Sequence, residues 1–384
     1  MNTTHAAFLF FADDWGRHPS SAQYLAREFA KFYPVAWVNT IGMRCPRMDG
    51  YTLRRGMEKV IQWLRPARFV RKPNDVHVLN PVQIPDWRSP YSRRINCGLI
   101  ARDLTKYLHE RKRRVIGIST LPLPWEWQHN LAVDAWVYYC VDNFAEWPNL
   151  DGSLLRADEE HFIRLARLIV AVSEVLCQHI SSMGRASYLL PHGIDLECWT
   201  NGQILGKKVN YDIPHPCVMW WGLIDERIDW DWINYASRAL PDFHFIFVGR
   251  MLYVPPAILR TKNVHLMGHV DPCKLPALSR SADVLMMPYI DAPVTRAMQP
   301  LKMLEYLASG RPIVARRLPA LEKWRGLVSL VADKYAFANA IEQARAQAAS
   351  LEERTERLQY LRSHTWEAKA QQFLCWLRQH GLIQ

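Results

Sequence analysis

The 384-residue sequence predicts an α/β fold made of two successive domains, each with a parallel sheet covered by helices on both faces. Short apolar runs alternate with amphipathic helical runs along most of the chain. The alternation stops in a polar stretch at 201–210 and then restarts. The length also accommodates two domains of about 150 to 200 residues each.

The first half begins with the buried strand "AAFLFF" and a helix over 20–32, which has Tyr24, Leu25 and Phe29 on one side. Residues 51–90, rich in proline and in basic side chains, are predicted to be irregular. The remaining apolar runs predict strands at 35–40, 114–120, 134–142 and 168–173, and helices at 99–110, 159–168 and 173–184. The turn "LPLPWEW" follows the strand at 114–120.

The second half repeats this alternation. Its predicted strands are 217–224, 243–250, 263–270, 283–289 and 311–314, and its predicted helices are 229–241, 274–282 and 300–310. The tail from 334 to 380 is predicted to be mostly helical. The two series predict two Rossmann-like domains that face each other across a cleft, with domain boundaries at 1–195 and 196–364 and a last helix at about 365–384 that rejoins the first domain.

The bulk composition narrows the class of protein. No run approaches the roughly 20 apolar residues that span a bilayer. The apolar start at 6–11 is too short for a secretory signal, lacks a basic leader and runs into Asp13 and Asp14. The eight cysteines contain no C-x-x-C pair, which argues against disulfides and a structural zinc and favours a reducing cytoplasm.

The positive charge is concentrated in one segment. Residues 51–114 carry 16 Lys or Arg against 5 Asp or Glu. Their difference, 16 − 5 = 11, equals the net charge of +11 for the whole chain. Aromatic residues are interleaved with these cations, namely Trp63, Phe69, Trp87 and Tyr91. The segment is either a solvated basic face or a surface that docks onto anionic lipid. Nucleic acid is a third reading, although no recognised binding motif accompanies the charge.

The stretch "PLKMLEYLASGRPIV" at 300–314 raises a question of electrostatics. Its helix has Pro300 at the predicted first position and Gly310 at the predicted C-terminal cap. Lys302 then lies in the first turn, where the helix dipole is already positive, and Gln299 is a poor cap. An external anion, namely a diphosphate, would complete the site, and Glu305 one turn deeper would accept hydrogen bonds from ribose hydroxyls. The alternative is a surface ion pair between Lys302 and Glu305.

Two further strand ends carry a glycine followed by an arginine. Gly222 is followed by Arg227, and Gly249 is followed by Arg250. Glycine allows the backbone to approach a phosphate, and arginine binds a phosphate through two hydrogen bonds. Ligands of open α/β sheets bind outside the carboxyl ends of the strands, so these residues are candidates for the same anion site.

Several motifs resemble those of GT-B glycosyltransferases: "PLKMLEYLASGRPIV", "ADVLMMPY", "NVHLMGHV", "LIVAVSEVL" and "LLPHGID". The resemblance is closest to the group 1, family 4-like enzymes that build bacterial exopolysaccharides and teichuronic-type polymers. It implies a nucleotide-sugar donor in the C-terminal domain, an acceptor in the N-terminal domain, and a leaving diphosphate that is neutralised without a metal.

Carried onto this sequence, the resemblance makes Glu305 the second glutamate of the family's E-x7-E motif, while Ala297 occupies the place of the first. It also places the nucleotide base at the loop that contains His269. The sequence shares a second likeness with xanthan-type glucuronosyltransferases, which are inverting enzymes with a Met/Leu–Lys pair and a preceding tyrosine. These positions are Leu301, Lys302 and Tyr289 here.

An inverting enzyme needs a general base for the acceptor hydroxyl, and Asp142 at a strand end is the predicted catalytic residue. The alternative role for Asp142 is to cap the following turn. Asp13 and Asp14, in the loop after the first strand, are the second choice for the general base. The predicted acceptor side comprises Asp14, Gly16, Glu174 and His192, although Glu174 follows Ser173, a predicted helix cap.

The sequence therefore predicts a cytoplasmic transferase, peripheral on the inner face of the cell membrane. It would move a hexosyl or glucuronosyl group from a nucleotide diphosphate, UDP rather than GDP, to a lipid-linked saccharide. No cofactor, metal or nucleic acid is expected. The alternative function is a non-catalytic GT-B protein that binds a nucleotide sugar or a partner transferase, because the first glutamate of the motif is replaced.

Overall fold

The computed structural model describes residues 6–16, 20–40, 75–108, 113–147, 150–205, 213–346 and 351–384. The chain divides into two compact units, residues 1–191 with 369–384, and residues 192–368. Each unit is built on its own parallel sheet with flanking helices, which confirms the predicted fold class.

The first unit contains a seven-stranded parallel sheet in the order β3-β2-β1-β4-β5-β6-β7. Its strands are β1 (Ala6–Ala12), β2 (Val35–Asn39), β3 (His77–Leu79), β4 (Arg114–Ser119), β5 (Ala135–Cys140), β6 (Leu168–Ala171) and β7 (Tyr188–Leu189). Every residue of β1, β2, β5 and β6 is buried, because helices cover both faces of the sheet.

Helices follow these strands. They are α1 (Ser21–Ala30), α2 (Pro90–Leu108), α3 (Trp125–Asn130), α4 (Gly152–Leu165) and α5 (Glu174–Ser182). Ser173 caps α5, as predicted, because its side chain accepts a hydrogen bond from the backbone N–H of Leu176. Among the described helices, none is long and apolar enough to cross a membrane.

The region around α2 differs from the sequence prediction. The helix begins at Pro90 rather than at Leu99, and β3 and α3 occupy parts predicted to be irregular or a turn. The reason is that polar residues take inward positions on α2. Arg93 and Asn96 are both buried, so the apolar periodicity that marks a helix is interrupted over its first two turns.

The second unit has a six-stranded parallel sheet in the order β10-β9-β8-β11-β12-β13. Its strands are β8 (Cys217–Trp221), β9 (His244–Val248), β10 (Val264–Met267), β11 (Val284–Met287), β12 (Ile313–Arg316) and β13 (Ser329–Val331). Numbered within each unit, the first six strands of both sheets have the order 3-2-1-4-5-6, which is the Rossmann arrangement.

The helices of this unit are α6 (Leu196–Leu205), α7 (Trp230–Ala239), α8 (Pro256–Leu259), α9 (Leu275–Leu278), α10 (Pro293–Ala297), α11 (Lys302–Ser309), α12 (Lys334–Ala346) and α13 (Leu351–Arg362). The polar stretch at 201–210 is therefore helical as far as Leu205. The last helix, α14 (Trp366–Gln379), begins in this unit, and its residues from Lys369 belong to the first unit.

The two chain segments that join the units are bonded to each other. Ile194 forms a parallel bridge with Thr365. The N–H of Ile194 donates to the carbonyl of His364 at 2.9 Å, and the N–H of Trp366 donates to the carbonyl of Ile194 at 3.2 Å. A side chain at Gly193 would collide with the indole of Trp366, so the glycine permits this close approach.

A buried ion cluster connects α2, α3 and α4 in the first unit. The guanidinium of Arg93 makes two bonds to Asp158, at 3.1 and 2.6 Å, and lies 3.6 Å from Glu126. All three side chains are at least nine-tenths buried. Burial raises the pKa of Asp158 to about 6, against the opposing effect of Arg93. One guanidinium thus serves two carboxyl groups.

We expect Arg93→Met to lower the free energy of unfolding by about 3–5 kcal/mol, because it leaves two buried carboxyl groups without their cation. The measurement is urea denaturation followed by tryptophan fluorescence. The matched control is Arg94→Met on the next, exposed position, for which we expect a change within about 0.5 kcal/mol. Equal effects at both positions would show that the cluster contributes no stability.

Candidate functional site

The second sheet reverses its strand order between β8 and β11, which are hydrogen-bonded neighbours. A crevice forms at such a reversal because the flanking connections leave in opposite directions, and ligands bind there. Gly222 directly follows β8, and Tyr289 lies two residues beyond β11. Both predicted site residues therefore lie at the topological switch point of this sheet.

Two glycines allow the strand ends to approach closely here. Gly222 and Gly249 have φ angles of +139° and +144°, a region that side-chain-bearing residues rarely adopt. A Cβ at Gly249 would overlap the carbonyl of Gly222, and a Cβ at Gly222 would overlap the ammonium of Lys302. The sequence motif of a glycine after each strand thus reflects steric necessity at this position.

Lys302 is the cation at the centre of this arrangement. Its Nζ donates a hydrogen bond to the hydroxyl of Tyr289 at 2.6 Å and lies 4.1 Å from the centre of the Trp220 ring. The electron-rich face of an indole attracts an ammonium group. The side chain is thereby positioned by Tyr289, Trp220 and Gly222.

The helix that carries Lys302 has no side-chain cap, and the N–H groups of Met303 and Leu304 donate to the carbonyls of Pro300 and Leu301 at 3.1 and 3.3 Å. Lys302 is the first residue of α11, its cap residue is Leu301, and no side chain caps the helix. Pro300 therefore precedes the helix by two positions, whereas the sequence placed it at the first helical residue. At the other end, Gly310 has a φ of +70° and caps the helix as predicted.

Glu305 lies one turn into α11 and is partly buried. Its carboxylate accepts a hydrogen bond from Nε1 of Trp221 at 2.7 Å. Burial raises the pKa of Glu305, while the hydrogen bond from Trp221 and the charge of Lys302 act in the opposite direction. Lys302 and Glu305 are hydrogen-bonded to the aromatic side chains of Tyr289 and Trp221, so the surface ion pair considered for them is not what the structure shows.

Arg227 is held by a carboxylate two residues before it. Its guanidinium bonds to Asp225 through Nε at 3.1 Å and through a terminal nitrogen at 2.8 Å. Asp225 is buried, and the carbonyl of Arg227 accepts from the N–H of Ile290 at 2.8 Å. This fixes the Arg227 loop against the segment that carries Tyr289.

The other donor-side residues predicted from the sequence are Arg250, His269 and Leu301. Arg250, which follows Gly249, is partly buried, and its carbonyl accepts from the N–H of Ile224 at 2.9 Å. His269 is exposed in the loop after β10, and Leu301 is partly buried. The structure thus brings Gly222, Lys302 and Tyr289 into direct contact, whereas no such contact joins His269 to them.

In the first unit, the predicted acceptor residues follow strands of the first sheet. Asp13 is exposed and Asp14 is buried, so the two adjacent carboxylates occupy different environments. The carbonyl of Asp13 accepts from Nε1 of Trp37 at 3.0 Å. Gly16, with a φ of +76°, closes this loop, which also receives support from Asn39 through a 2.8 Å bond to the N–H of Trp15.

Asp142 lies two residues beyond β5 at the carboxyl edge of the same sheet and is partly buried. Its carboxylate accepts from the N–H of Asn143 at 2.9 Å, a local bond that agrees with the capping role considered for it. Glu174 is exposed at the first position of α5.

His192 lies in the second unit and is buried. Its backbone N–H donates to Oε1 of Gln299 at 2.6 Å. Gln299 therefore does not cap α11. Instead, it connects the backbone at His192 to the segment that leads into this helix.

Three residues that shape the site were not predicted from the sequence. Trp220 lies beneath the Lys302 ammonium, Trp221 donates to Glu305, and Asp225 orients Arg227. The only sequence signal is the pair of tryptophans in "CVMWWGLIDER", directly before the glycine. Within the described ranges, no group of three or more His, Cys, Asp or Glu side chains is placed to hold a metal ion.

Comparisons with known proteins place this geometry in context. A family model described as glycosyl transferases group 1 matches residues 228–347, a range that includes Tyr289, Lys302 and Glu305. The chain is also 27% identical over 184 residues to the putative teichuronic acid biosynthesis glycosyltransferase TuaH of Bacillus subtilis (strain 168). That match covers 44% of this chain and 45% of the relative, so it spans less than half of either protein.

Solved structures match over nearly the whole chain. Sucrose-phosphate synthase from Thermosynechococcus elongatus has a TM-score of 0.68 at 16% identity, with 97% of this chain and 98% of that one covered. Anabaena HepE in complex with UDP and glucose has a TM-score of 0.63 at 16% identity, with 97% and 99% covered. At this identity the likeness concerns the fold, which is GT-B with two Rossmann-like domains.

The environment of Glu305 yields a prediction on pH. A carboxyl group whose pKa is raised in the folded state binds more protons there than in the unfolded state, so its contribution to stability falls as pH rises above its ordinary pKa, near 4.5. Glu305→Gln removes this loss. We therefore expect the stability of the variant relative to the wild type to increase as the pH rises from that value towards neutrality.

The measurement is urea denaturation of both proteins at several pH values. Glu342→Gln, an exposed position on α12, is the control and should leave the pH profile unchanged. A constant difference between Glu305→Gln and the wild type would show that burial does not perturb this carboxylate.

Proposed function

We propose that the protein is a glycosyltransferase that moves a sugar from a UDP-linked donor to a lipid-linked saccharide in bacterial polysaccharide biosynthesis. The match to glycosyl transferases group 1 supports the reaction class, and the 27% identity to a putative teichuronic acid biosynthesis glycosyltransferase supports the polymer context. The UDP and glucose named for the Anabaena structure support the choice of nucleotide.

In this proposal the second unit binds the donor at its switch point. Lys302, Arg227 and Arg250 neutralise the diphosphate as it leaves, and the start of α11, which no side chain caps, contributes the positive end of its helix dipole. Glu305 accepts hydrogen bonds from the ribose hydroxyls, and the loop at His269 holds the base. Because Lys302, Arg250 and the helix start provide positive charge besides the Arg227–Asp225 pair, the proposed reaction needs no bound metal.

The first unit binds the acceptor. Asp142 removes the proton from the acceptor hydroxyl, and Asp14, Gly16 and Glu174 of the same unit line the acceptor side. The protein acts at the inner face of the cell membrane, where a lipid-linked saccharide is presented. The basic segment 51–114 was predicted to hold it there, but residues 51–74 and 109–112 of it lie outside the described residues.

A single observation carries the proposal: the ammonium of Lys302 is fixed at the start of an uncapped helix by a tyrosine hydroxyl and a tryptophan face. A cation at this end of a helix is unfavourable by a few tenths of a kcal/mol unless an anion lies opposite. The aromatic partners stabilise its position but do not neutralise its charge. A diphosphate would do so.

We expect UDP to raise the melting temperature of the wild type and not that of Lys302→Ala. A ligand at about 100 times its dissociation constant stabilises by roughly 2.7 kcal/mol, because it binds only the folded state. The measurement is differential scanning fluorimetry with UDP, UDP-sugars, GDP and GDP-mannose. Lys323→Ala is the matched control, since Lys323 also lies over an indole, 4.4 Å from the centre of Trp324.

If UDP still raises the melting temperature of Lys302→Ala, or if the rise is lost in Lys323→Ala as well, the donor does not bind at Lys302. The absence of a shift with every nucleotide would overturn the donor site as a whole. A preference for GDP would retain the site and change the nucleotide.

We expect Asp142→Asn to reduce turnover by about 100- to 10,000-fold, the usual contribution of a general base, while the UDP-induced melting shift stays unchanged. The measurement is release of UDP from UDP-glucose and UDP-glucuronic acid in the presence of bacterial lipid extract. Glu146→Gln, an exposed carboxylate four positions later, is the control and should retain activity.

The same assay tests the alternative function. Buried Ala297, at the end of α10, occupies the position of the first glutamate in the family motif, which favours a protein that binds a nucleotide sugar without transferring it. Saturable UDP binding with no sugar transfer and no donor hydrolysis would establish that function in place of the enzyme.

A further inference from the structure

Lys369 is a buried lysine of the first unit that the proposed reaction does not use. It is the fourth residue of α14, and 6% of its surface is exposed. Within the ranges that the structure describes, its ammonium makes no hydrogen bond or ion pair. Burial lowers the pKa of this lysine, and no carboxylate opposes that effect. Lysine is rarely buried to this extent without a partner, because removing an ammonium group from water is costly.

The direction of α14 shows at which edge of the first sheet Lys369 lies. Just after the end of this helix, the carbonyl of Gly381 accepts a 2.6 Å hydrogen bond from Arg114, the first residue of β4. Halfway along the helix, the ring of Phe373 lies 5.7 Å from that of Tyr139, the fifth residue of β5. The helix therefore runs from the carboxyl edge of the sheet to its amino edge. Lys369 lies about 6 Å before Phe373, towards the carboxyl edge.

Helix α1 lies on the same face of the sheet and begins at the same edge. The ring of Phe373 is 5.6 Å from that of Phe29 on α1. Burial raises the pKa of Tyr139, and the nearby hydroxyl of Ser21, the first residue of α1, acts against this rise. The start of α1 is therefore close to the end of β5, on the face that α14 also covers.

Positive charge accumulates at this edge without compensation. The starts of α1 and α14 are the positive ends of their dipoles, and α1 has no acidic side chain in its first turn. The Lys369 ammonium adds a full charge. Asp14 and Asp142 also follow strands at the carboxyl edge, but burial is the one cause of the lowered Lys369 pKa, so neither carboxylate neutralises this lysine.

An anionic ligand would supply the partner that the chain does not provide. Helix starts bind phosphate through their dipole, and lysine binds phosphate as a point charge. An uncompensated buried charge lowers the stability of the free protein, which is a common cost of a binding site. The edge that holds Lys369 is also the edge at which the proposed acceptor residues Asp14 and Asp142 lie.

We propose that Lys369 binds a phosphate group of the acceptor at the carboxyl edge of the first sheet. This inference rests on the proposed function, in which the first unit holds a lipid-linked saccharide. The phosphate that joins such a saccharide to its lipid is the anion in question. Lys369 thus holds the acceptor by its linkage, and Asp142 acts on its hydroxyl group.

The first test is the melting temperature of the full-length protein with saturating UDP, which occupies the donor site, and with glucose 1-phosphate, inorganic phosphate or glucose added. We expect glucose 1-phosphate to raise the melting temperature of the wild type and glucose to leave it unchanged, because the phosphate binds the folded state. Lys369→Met should lose this rise. Without ligand, this variant should melt at or above the wild-type temperature, because an unpaired buried charge is removed.

The second test is turnover of UDP-glucose with increasing amounts of bacterial lipid extract. We expect Lys369→Met to need at least about tenfold more extract for half-maximal rate, because one charge-assisted hydrogen bond to the acceptor is lost. The maximal rate should change less, and the UDP-induced melting shift should stay unchanged. Lys31→Met, at a lysine after α1 whose side chain is 52% exposed, is the control and should behave as the wild type in both tests.

A rise with glucose 1-phosphate that survives Lys369→Met, or no rise in the wild type, would overturn the proposal. A Lys369→Met protein that melts well below the wild type without ligand would also overturn it, since the ammonium would then stabilise the protein itself. If inorganic phosphate produces the whole rise and the requirement for extract is unchanged, the site binds free phosphate and not the acceptor. The melting test requires no turnover, so its failure is distinct from a failure of the proposed reaction.

Discussion

The donor-side geometry depends on where one ammonium group can be placed. Lys302 lies at the positive end of a helix, and its position is tolerable because the Trp220 face and the Tyr289 hydroxyl receive it. A side chain at residue 222 would overlap the ammonium group in this position, and a side chain at 249 would collide with the carbonyl of Gly222. Strand order, glycine placement and aromatic packing therefore all determine the position of the Lys302 ammonium group.

Sequence periodicity identified most of the fold because most strands and helices have one dominant apolar signal. It failed where buried positions are polar. The first two turns of α2 place Arg93 and Asn96 inward, so the helix was predicted to begin only at Leu99. For the same reason, charge counting over 51–114 treated Arg93 as a surface cation although it is neutralised in the interior. Burial of an ion pair cannot be read from one sequence.

In the candidate site, too, some residues could be identified from the sequence, whereas others have roles that depend on tertiary contacts. Glycines at strand ends and a lysine in a first helical turn are visible in the sequence, since each conflicts with ordinary local preferences. Trp220, Trp221 and Asp225 are not, because a tryptophan at a strand end is ordinary core and an aspartate in a loop is an ordinary turn residue. Their roles follow from contacts between segments that are distant along the chain.

The joint between the units has a mechanical consequence. Ile194 and Thr365 tie together the two strands of chain that pass from one unit to the other, and Gln299 ties His192 to the segment leading into α11. The segment that leads into α11 is therefore bonded to one chain crossing, and that crossing is bonded to the other. The start of α11 cannot move far from these two segments without breaking one of these hydrogen bonds.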